Sequence, residues 1–200
     1  MKPYYQDDKA GITIYHGDCR EVLPQLPPFD LVLTDPPYPD YYVDLYLQTP
    51  IAFLTAMPCR QYVFWSAKCE FPIDHTAIHI WDKKSGAGAQ YERIFERNGQ
   101  RQFNVYRYYL INSTIAASFT RDEFTKHRSQ KPIQLIRRLV ADGSSDSALI
   151  FDPFMGSGTT LVAAKQLGRR AIGVEIEEHW CEVAAKRLQQ EVMPLFAESE

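Results

Sequence analysis

The chain has 200 residues and a formal net charge of −3, with 45% hydrophobic and 13% aromatic residues. This composition suffices for one well-buried domain, and the length is hardly enough for two. No stretch approaches the roughly 20 apolar residues of a membrane span, and the first six residues lack the apolar segment of a signal peptide. We therefore expect a single cytoplasmic domain over residues 1–200 that contacts no membrane.

Cysteine and histidine spacing gives no sign of a metal centre. The four cysteines lie far apart without a Cys-x-x-Cys pair: Cys19, Cys59, Cys69 and Cys181. That spacing argues against a disulfide framework and a zinc site, and favours reduced thiols. His75 and His79 are four residues apart, but their segment is of strand type and lacks a third ligand. We expect no metal.

The small net charge hides a strong asymmetry. Residues 83–131 contain ten Lys and Arg against four Asp and Glu, a charge of +6, so the remaining residues carry −9. A basic segment inside an acidic protein is typical of a surface that contacts phosphates. The plain alternative is a solvated charged face.

The first element in chain order is a short strand. Residues 12–15 alternate apolar and polar side chains, and the turn at 16–18 then carries Asp18 to the end of the strand. The same aspartate is also a suitable cap for a short helix over 19–23. Both interpretations of Asp18 stay open from the pattern alone.

The second strand leads into the most informative segment of the chain. An apolar run at 29–33 is followed by Thr-Asp-Pro-Pro-Tyr at 34–38. Two prolines fix φ and lack N–H groups, so the chain must leave the strand here in one stiff, extended shape. Asp35 and the proline carbonyls are hydrogen-bond acceptors, and Tyr38 offers a flat face for stacking. Together they suit an exocyclic amino group on a planar base.

The middle of the chain predicts more sheet around a flexible connector. Residues 39–42 form a loop that is able to close over the site, and 43–57 a helix interrupted near Pro50. Residues 61–65, 76–81 and 102–112 have strand composition, while 91–97 is either helical or extended. The small, glycine-containing segment 83–90 is either a phosphate-contacting loop or a mobile connector.

The last third predicts a nucleotide-binding unit. After His-Arg-Ser-Gln-Lys-Pro at 127–132, apolar residues spaced by three and four predict a helix that ends before Gly143. A buried strand at 148–151 is followed by a glycine turn, a helix over 160–167 and a strand at 171–174. That strand delivers Glu175, which is placed to accept ribose hydroxyls. The Gly-x-Gly-x-x-Gly of NAD-binding proteins and the Gly-Lys-Ser/Thr of a P-loop are absent. The final helix, with Trp180, is expected to cover the core.

The Asp-Pro-Pro-Tyr segment at 35–38 and Phe-Asp-Pro-Phe-Met-Gly-Ser-Gly-Thr-Thr at 151–160 together resemble a known family. They are similar to the S-adenosylmethionine-dependent amino-methyltransferases of DNA, in the permuted β arrangement of small bacterial and phage chains. The resemblance runs from about residue 12 to about residue 188. It implies an α/β, single-domain Rossmann-like methyltransferase fold, with a mostly parallel, twisted seven-stranded sheet, one antiparallel strand and circularly permuted motif order.

The resemblance also implies roles for individual residues. The catalytic residues would be Asp35, Pro36 and Tyr38. The residues that bind the cofactor, S-adenosyl-L-methionine, would be Asp18, Ser129, Lys131, Asp152, Phe154, Gly156, Ser157, Gly158, Thr159 and Glu175. Ser129 stands where the family commonly has Thr, and with Lys131 it is expected near the cofactor carboxylate. The substrate-binding residues are expected to be Pro37, Tyr41, Lys83, Lys84 and Arg93.

The implied reaction is methylation of adenine N6 in DNA, because the family's cytosine-N4 members more often carry Ser in place of this Asp. Asp35 and the Pro36 carbonyl would localise the lone pair of the amino nitrogen. A base inside a duplex cannot reach a recessed strand end, so the target must be flipped out or single-stranded. Residues 83–126 are the candidate DNA-contacting insertion in place of a separate target-recognition domain. The recognised DNA sequence is then short and loosely specified, or a second subunit in a homodimer completes the surface that holds the DNA.

Three other functions stay open at this point. The first is cytosine-N4 methylation in DNA. The second is methylation of amino groups in RNA or of protein side-chain amides, although those enzymes usually have Asn at the position of Asp35. The third, from another class, is a catalytically silent module that binds DNA or the cofactor.

Overall fold

A single nine-stranded sheet organises the protein, seen in a computed structural model that describes residues 1–40, 43–48, 51–84, 90–100, 102–109 and 129–190. In space the strands follow the order β1-β2-β9-β8-β3-β4-β6-β5-β7. The strands are β1 (Tyr5–Asp7), β2 (Ile12–His16), β3 (Leu31–Thr34), β4 (Arg60–Trp65), β5 (Ala77–Asp82), β6 (Tyr91–Arg97), β7 (Val105–Arg107), β8 (Leu149–Asp152) and β9 (Arg170–Glu175).

Five α-helices and two short 3₁₀ helices (Leu23–Gln25 and Ile51–Ala56) accompany the described strands. The α-helices are α1 (Cys19–Val22), α2 (Val43–Gln48), α3 (Ile133–Gly143), α4 (Thr159–Gln166) and α5 (Glu178–Gln189). Helix α3 begins directly after Pro132, as expected, and extends to Gly143 itself. Among the described residues, no helix is long and apolar enough to cross a membrane.

The expected α/β class and mostly parallel sheet are confirmed, but the strand count is not. Within the described residues there are nine strands rather than seven, and two of them, β1 and β6, run against the others. Strand β1 has the polar sequence Tyr-Gln-Asp, without apolar alternation, and pairs with β2 at the sheet edge through its backbone. Residues 91–97 are extended, which the sequence left open, and residues 110–112 of the predicted strand 102–112 lie outside the described part.

Hydrophobic cores lie on both faces of the sheet because consecutive strand residues point in opposite directions. Leu31 and Leu33 of β3 pack into a cluster that contains the buried faces of α3, α4 and α5. Val32, between them, packs into a second cluster with α1 and the 3₁₀ helix Ile51–Ala56. The sheet is therefore covered by helical segments on both sides, as in doubly wound α/β proteins.

The order of the central strands places a crevice between β8 and β3. From β8 the chain continues to β9 on one side, whereas from β3 it continues to β4 on the other. Strands β3 and β8 are themselves parallel neighbours. In open α/β sheets ligands bind outside the carboxyl ends of the strands at such a switch point. Two segments that are far apart in sequence both begin at this crevice, namely residues 34–38 and 152–158.

Gly158 controls how closely α4 approaches α5. Its φ is +77°, and a Cβ built on it would lie 2.7 Å from Ala184 Cβ. We expect Gly158→Ala to lower the free energy of unfolding by about 2 to 4 kcal/mol, through left-handed backbone strain plus overpacking. Gly168→Ala is the matched control, because Gly168 has a similar φ of +69° and nothing within 4 Å of the added Cβ. Urea denaturation of both variants measures the difference, and equal losses would contradict this explanation.

Candidate active site

A cavity of about 400 Å³ opens at the carboxyl ends of β2, β3, β8 and β9, at the switch point. One end of it, the proline end, is lined by Asp35, Pro36, Pro37 and Tyr38. The other, the glycine end, is lined by Asp152, Phe154, Gly156, Ser157 and Thr159. Asp18, Ser129, Lys131 and Glu175 also line the cavity. Gly158 does not line it and instead shapes the turn that precedes α4.

The proline end is built around the carboxylate of Asp35. The Tyr38 hydroxyl donates to Asp35 Oδ1, and Lys131 Nζ donates to Oδ2 at 2.5 Å. Burial raises the pKa of Asp35, Lys131 opposes that rise, and the nearby carboxylate of Glu92 adds to it. The Tyr38 ring meets Trp65 edge-on, with the ring centres 5.6 Å apart. The structure thus holds a carboxylate, two prolines and an aromatic ring in one small region.

The glycine end is formed by a tight turn whose amide groups bind Glu175. Gly156 has φ of +50°, and its N–H donates to Glu175 Oε2 at 2.9 Å. Glu177 N donates to the other oxygen, Oε1, also at 2.9 Å. Burial raises the pKa of Glu175, which these backbone hydrogen bonds counteract. Each carboxylate oxygen can accept a further hydrogen bond, so Glu175 is able to take hydroxyl donors from a ligand.

Asp152 joins the two ends of the cavity. It is 4% exposed, and its Oδ1 accepts hydrogen bonds from Thr34 Oγ1 at 2.8 Å and from Phe154 N at 3.2 Å. Burial raises the pKa of Asp152 to about 7, although these hydrogen bonds and one from Thr160 favour the ionised form. The link from Thr34 to Asp152 connects the strand before the proline end to the strand before the glycine end.

Asp18 both caps a helix and lies at the cavity. Its Oδ1 accepts a hydrogen bond from Arg20 N at 2.9 Å, which caps α1, and its Oδ2 lies 2.5 Å from Arg20 Nη2. The hydrogen bonds from Arg20 lower the pKa of Asp18, in spite of partial burial. The two interpretations of Asp18 made from the sequence are therefore compatible in one position.

The ammonium group of Lys131 lies at the proline end of the cavity, and its expected role toward the cofactor stays a prediction. We expected it near the carboxylate of the cofactor, together with Ser129. Its side chain is only 8% exposed, and the ammonium group contacts Asp35 and Glu92. Ser129, two residues earlier, lines the same cavity. The contacts of Lys131 connect it to the proline end.

Most of the residues expected to bind substrate lie outside the cavity. Pro37 lines it, but Lys83, Lys84 and Arg93 do not. Lys83 Nζ pairs with Glu92 at 2.6 Å. The Arg93 guanidinium donates to the carbonyls of Ser66, at 2.6 Å, and Cys69, contacts that hold a neighbouring loop.

Lys84 alone of these three basic residues is exposed, and its ammonium lies 4.8 Å from the centre of the Tyr109 ring. Tyr41 lies outside the described residues, as do residues 85–89 and 110–128 of the basic segment. The expectation that residues 83–126 contact DNA therefore stays a prediction.

Three residues that the sequence did not single out belong to this region. Thr34 and Trp180 line the cavity, and Glu92 lies beside Lys131. The expectation that the final helix covers the core is confirmed for Ala184 and Leu188 of α5, whereas Trp180 is only partly buried and lies at the cavity. Thr34 adjoins the proline motif and was within reach of sequence reasoning. Glu92 had no sequence signal, because only the pairing of β6 with β5 and β4 brings it here.

The cavity fits S-adenosyl-L-methionine. Its volume lies in the range of small-molecule sites, about 300 to 1,000 Å³. Glu175 is placed to accept ribose hydroxyls, and the turn at Gly156 and Ser157 allows close approach of the ligand to the backbone. When bound, this cofactor supplies an electrophilic methyl group on a sulfonium.

Comparison with known sequences places the chain in an enzyme family. The DNA methylase family profile matches residues 58–186. A type II methyltransferase from Streptomyces caespitosus, M.ScaI, is 26% identical over 266 aligned positions, which span 98% of this chain and 86% of that protein. M2.DpnII from Streptococcus pneumoniae is 35% identical over 107 residues, or 48% of this chain and 40% of its own length. The chain thus spans less than half of the length of some curated relatives.

Solved structures of DNA methyltransferases share the fold. M1.HpyAVI in complex with S-adenosylmethionine matches with a TM-score of 0.64 and 23% identity, covering 90% of this chain and 100% of that one. The cytosine-N4-specific PvuII DNA methyltransferase matches with a TM-score of 0.72 and 15% identity, covering 96% and 90%. The family match extends over more than half of the residues, and the volume of the cavity suits the cofactor. The chain belongs to the S-adenosylmethionine-dependent DNA amino-methyltransferases.

Proposed function

We propose that the protein transfers a methyl group from S-adenosyl-L-methionine to the exocyclic N6 amino group of adenine in DNA. The observation that carries this proposal is the position of Asp35. Its partly buried carboxylate lies at the proline end of the cavity, beside Pro36 and Tyr38 and on the same opening as the glycine turn. An amino group and a methyl donor bound at the two ends would meet between them.

The residues at the proline end suit a weak nitrogen nucleophile. The lone pair of adenine N6 is delocalised into the ring, and acceptors on both amino hydrogens localise it. Asp35 and the Pro36 carbonyl are those acceptors, and Tyr38 stacks on the base. The cofactor, held at the glycine end, would supply the methyl group and leave as a neutral thioether, and the methylated nitrogen would lose one proton. Holding amine and methyl group in line supplies much of the remaining acceleration.

The choice of adenine depends on the side chain at position 35. The cytosine-N4 enzymes that the sequence resembles more often have Ser there, whereas this chain has Asp. Cytosine-N4 methylation is the second candidate, because the PvuII enzyme, which is cytosine-N4-specific, has the same fold. The cytosine amino group has the same donor character as that of adenine, so the same acceptors serve both bases.

The substrate enters the cavity as an unpaired base. The cavity is recessed at the strand ends, so the target nucleotide is flipped out of a duplex or taken from single-stranded DNA, at a cost of a few kcal/mol. The alignment with M.ScaI spans more positions than this chain has residues, so that relative contains segments that this chain lacks. We infer a short or relaxed target sequence, or a homodimer that completes the DNA clamp. A long, strictly methylated motif in treated DNA would exclude the relaxed specificity.

The deciding experiment is transfer of labelled methyl from S-adenosyl-L-methionine to unmethylated DNA, followed by nucleoside analysis. We expect N6-methyladenine as the product. N4-methylcytosine would keep the chemistry and overturn the choice of base. Transfer to RNA but not to DNA would mean that the substrate is RNA. Cofactor and DNA binding without transfer to any of these substrates would favour the catalytically silent module.

A further inference from the structure

Four alternating charges connect the proline end of the cavity to Lys83, the first residue of the basic segment. Lys131 Nζ lies 2.5 Å from Asp35 Oδ2 and 3.3 Å from Glu92 Oε2. Glu92 Oε1 in turn accepts a hydrogen bond from Lys83 Nζ at 2.6 Å. The order from the cavity outward is therefore Asp35, Lys131, Glu92, Lys83. The central ammonium group is shared by two carboxylates at unequal distances.

Glu92 has an acceptor that is available to Lys131. Its side chain is 16% exposed, and the Lys131 ammonium lies 3.3 Å from the buried Oε2, a long contact compared with its 2.5 Å hydrogen bond to Asp35. A buried carboxylate oxygen that has only a weak contact with a donor is costly. A shift of the ammonium toward Glu92 by a fraction of an ångström to one ångström would satisfy that oxygen.

The charges are balanced in a way that keeps Lys131 protonated. Burial alone would lower the pKa of Lys131, but Asp35 and Glu92 together hold it above its ordinary value. Burial alone would raise the pKa of Glu92, and the ammonium groups of Lys131 and Lys83 hold it below its ordinary value. Glu92 is therefore an anion that attracts the Lys131 ammonium.

In the present arrangement each oxygen of Asp35 already accepts a hydrogen bond from a protein group. One oxygen accepts from Tyr38 and the other from Lys131. An incoming amino group needs one of these oxygens as its acceptor. The ammonium group of Lys131, which binds more strongly than a neutral donor, would compete with it. Drawing Lys131 away from Oδ2 would remove this competition.

We propose that Glu92 is a positioning residue that takes over the Lys131 ammonium when the target amino group enters, which frees Asp35 Oδ2 as its acceptor. This inference rests on the proposed function, since it assigns Asp35 the role of amino acceptor. Glu92 itself does not touch the base. It acts through Lys131, and Lys83 holds the far oxygen of Glu92 in place.

The variant that tests this role is Glu92→Gln, which keeps the shape and removes the charge. Lys131 then stays on Asp35, so we expect kcat to fall about tenfold, while KM for the cofactor stays within about twofold. Because the charge of Glu92 raises the pKa of Asp35, its removal also moves the acid limb of the kcat profile to lower pH. Glu92→Asp restores the charge one methylene farther away and should recover part of kcat and the wild-type acid limb. Glu182→Gln, at an exposed carboxylate of α5 paired only with Lys186 among the described residues, is the control and should change neither.

A structural role of Glu92 gives a different pattern of results. It predicts that Glu92→Gln loses thermal stability, cofactor affinity and kcat together, and this outcome would overturn the proposal. An unchanged dependence of kcat on pH in Glu92→Gln would also overturn the proposal. If the wild-type product is N4-methylcytosine, the choice of adenine is wrong. The comparison of wild type with Glu92→Gln still tests the role of Glu92.

A second measurement does not require turnover. The ¹³C signal of the Asp35 carboxyl group can be followed by NMR in wild type and Glu92→Gln, with and without a single-stranded oligonucleotide that contains adenine. We expect the oligonucleotide to displace the signal in wild type, as Lys131 leaves, and to displace it much less in Glu92→Gln. Equal displacement in both proteins would contradict the role of Glu92 even if no methyl transfer were detected.

Discussion

Asp35→Ala is expected to lower methyl transfer to DNA by about a thousandfold, which is the effect of removing a group that stabilises charge developing in the transition state. Affinity for S-adenosyl-L-methionine should stay within about threefold of wild type, because the groups at the glycine end are untouched. Asp35 accepts hydrogen bonds from Tyr38 and Lys131 and faces the cavity, so its loss removes the acceptor for the amino group. Labelled methyl transfer and calorimetric titration with the cofactor measure the two quantities separately.

Two further variants show whether the loss of methyl transfer is caused by removal of the negative charge at position 35. Asp35→Asn keeps the shape and one acceptor oxygen but loses the negative charge, and it should retain a small part of the activity. Asp44→Ala removes an exposed carboxylate from α2, nine residues farther along the chain, and should be as active as wild type. Substantial transfer by Asp35→Ala would contradict the proposed mechanism.

Asp152→Asn is expected to stabilise the folded protein above neutral pH, although Asp152 lies in the cavity. Burial raises the pKa of Asp152 from 3.8 to about 7. Between these values the folded protein holds a proton that the unfolded chain has lost. The stability of the wild type therefore falls as pH rises from about 4 to 7 and is constant with respect to this group above 7. The full effect is about 4 kcal/mol, at about 1.4 kcal/mol for each pKa unit.

Asn is a suitable replacement because it preserves the two hydrogen bonds that Oδ1 accepts. Its side-chain oxygen can accept from Thr34 and Phe154 as the carboxylate does. We expect the stability difference between variant and wild type to grow from near zero at about pH 4 to its full size near pH 7. Urea denaturation of both proteins at pH 5, 6, 7 and 8 measures this. A difference that does not change with pH would mean that ionisation of Asp152 is not its source.

This expectation explains why a destabilising carboxylate occupies the switch point. A buried anion without a cationic partner costs stability in the free protein, whereas a positively charged ligand in the same cavity favours the ionised form. Asp152→Asn should therefore bind S-adenosyl-L-methionine more weakly at pH 8 while unfolding at higher urea concentration. Such opposite effects on stability and binding are typical of functional sites.

The sequence by itself determined the elements whose signals are local. Each of these signals lies within one short segment of the chain. Examples are the apolar run before residues 34–38, the apolar strand that ends at Asp152 and the amphipathic pattern of α3. Hydrophobic periodicity, proline geometry and glycine turns depend on neighbours in the chain, so they can be interpreted without coordinates. For the same reason the α/β class, the glycine turn and the position of Glu175 at the end of β9 were predictable. The edge strand β1 was not, because its pairing is made by backbone groups that carry no sequence pattern.

Only the tertiary structure decided which side chains from distant segments share the cavity. Lys131 belongs to the segment before α3, and its ammonium group lies at Asp35 because the opening of α3 passes the end of β3. Glu92 reaches Lys131 through the antiparallel register of β6, where a shift of one residue would direct it to the opposite face of the sheet. Trp180 is at the cavity and not in the core because of how α5 packs against the sheet. Long-range register and helix packing are set by the sum of many contacts, and no short stretch of sequence records them.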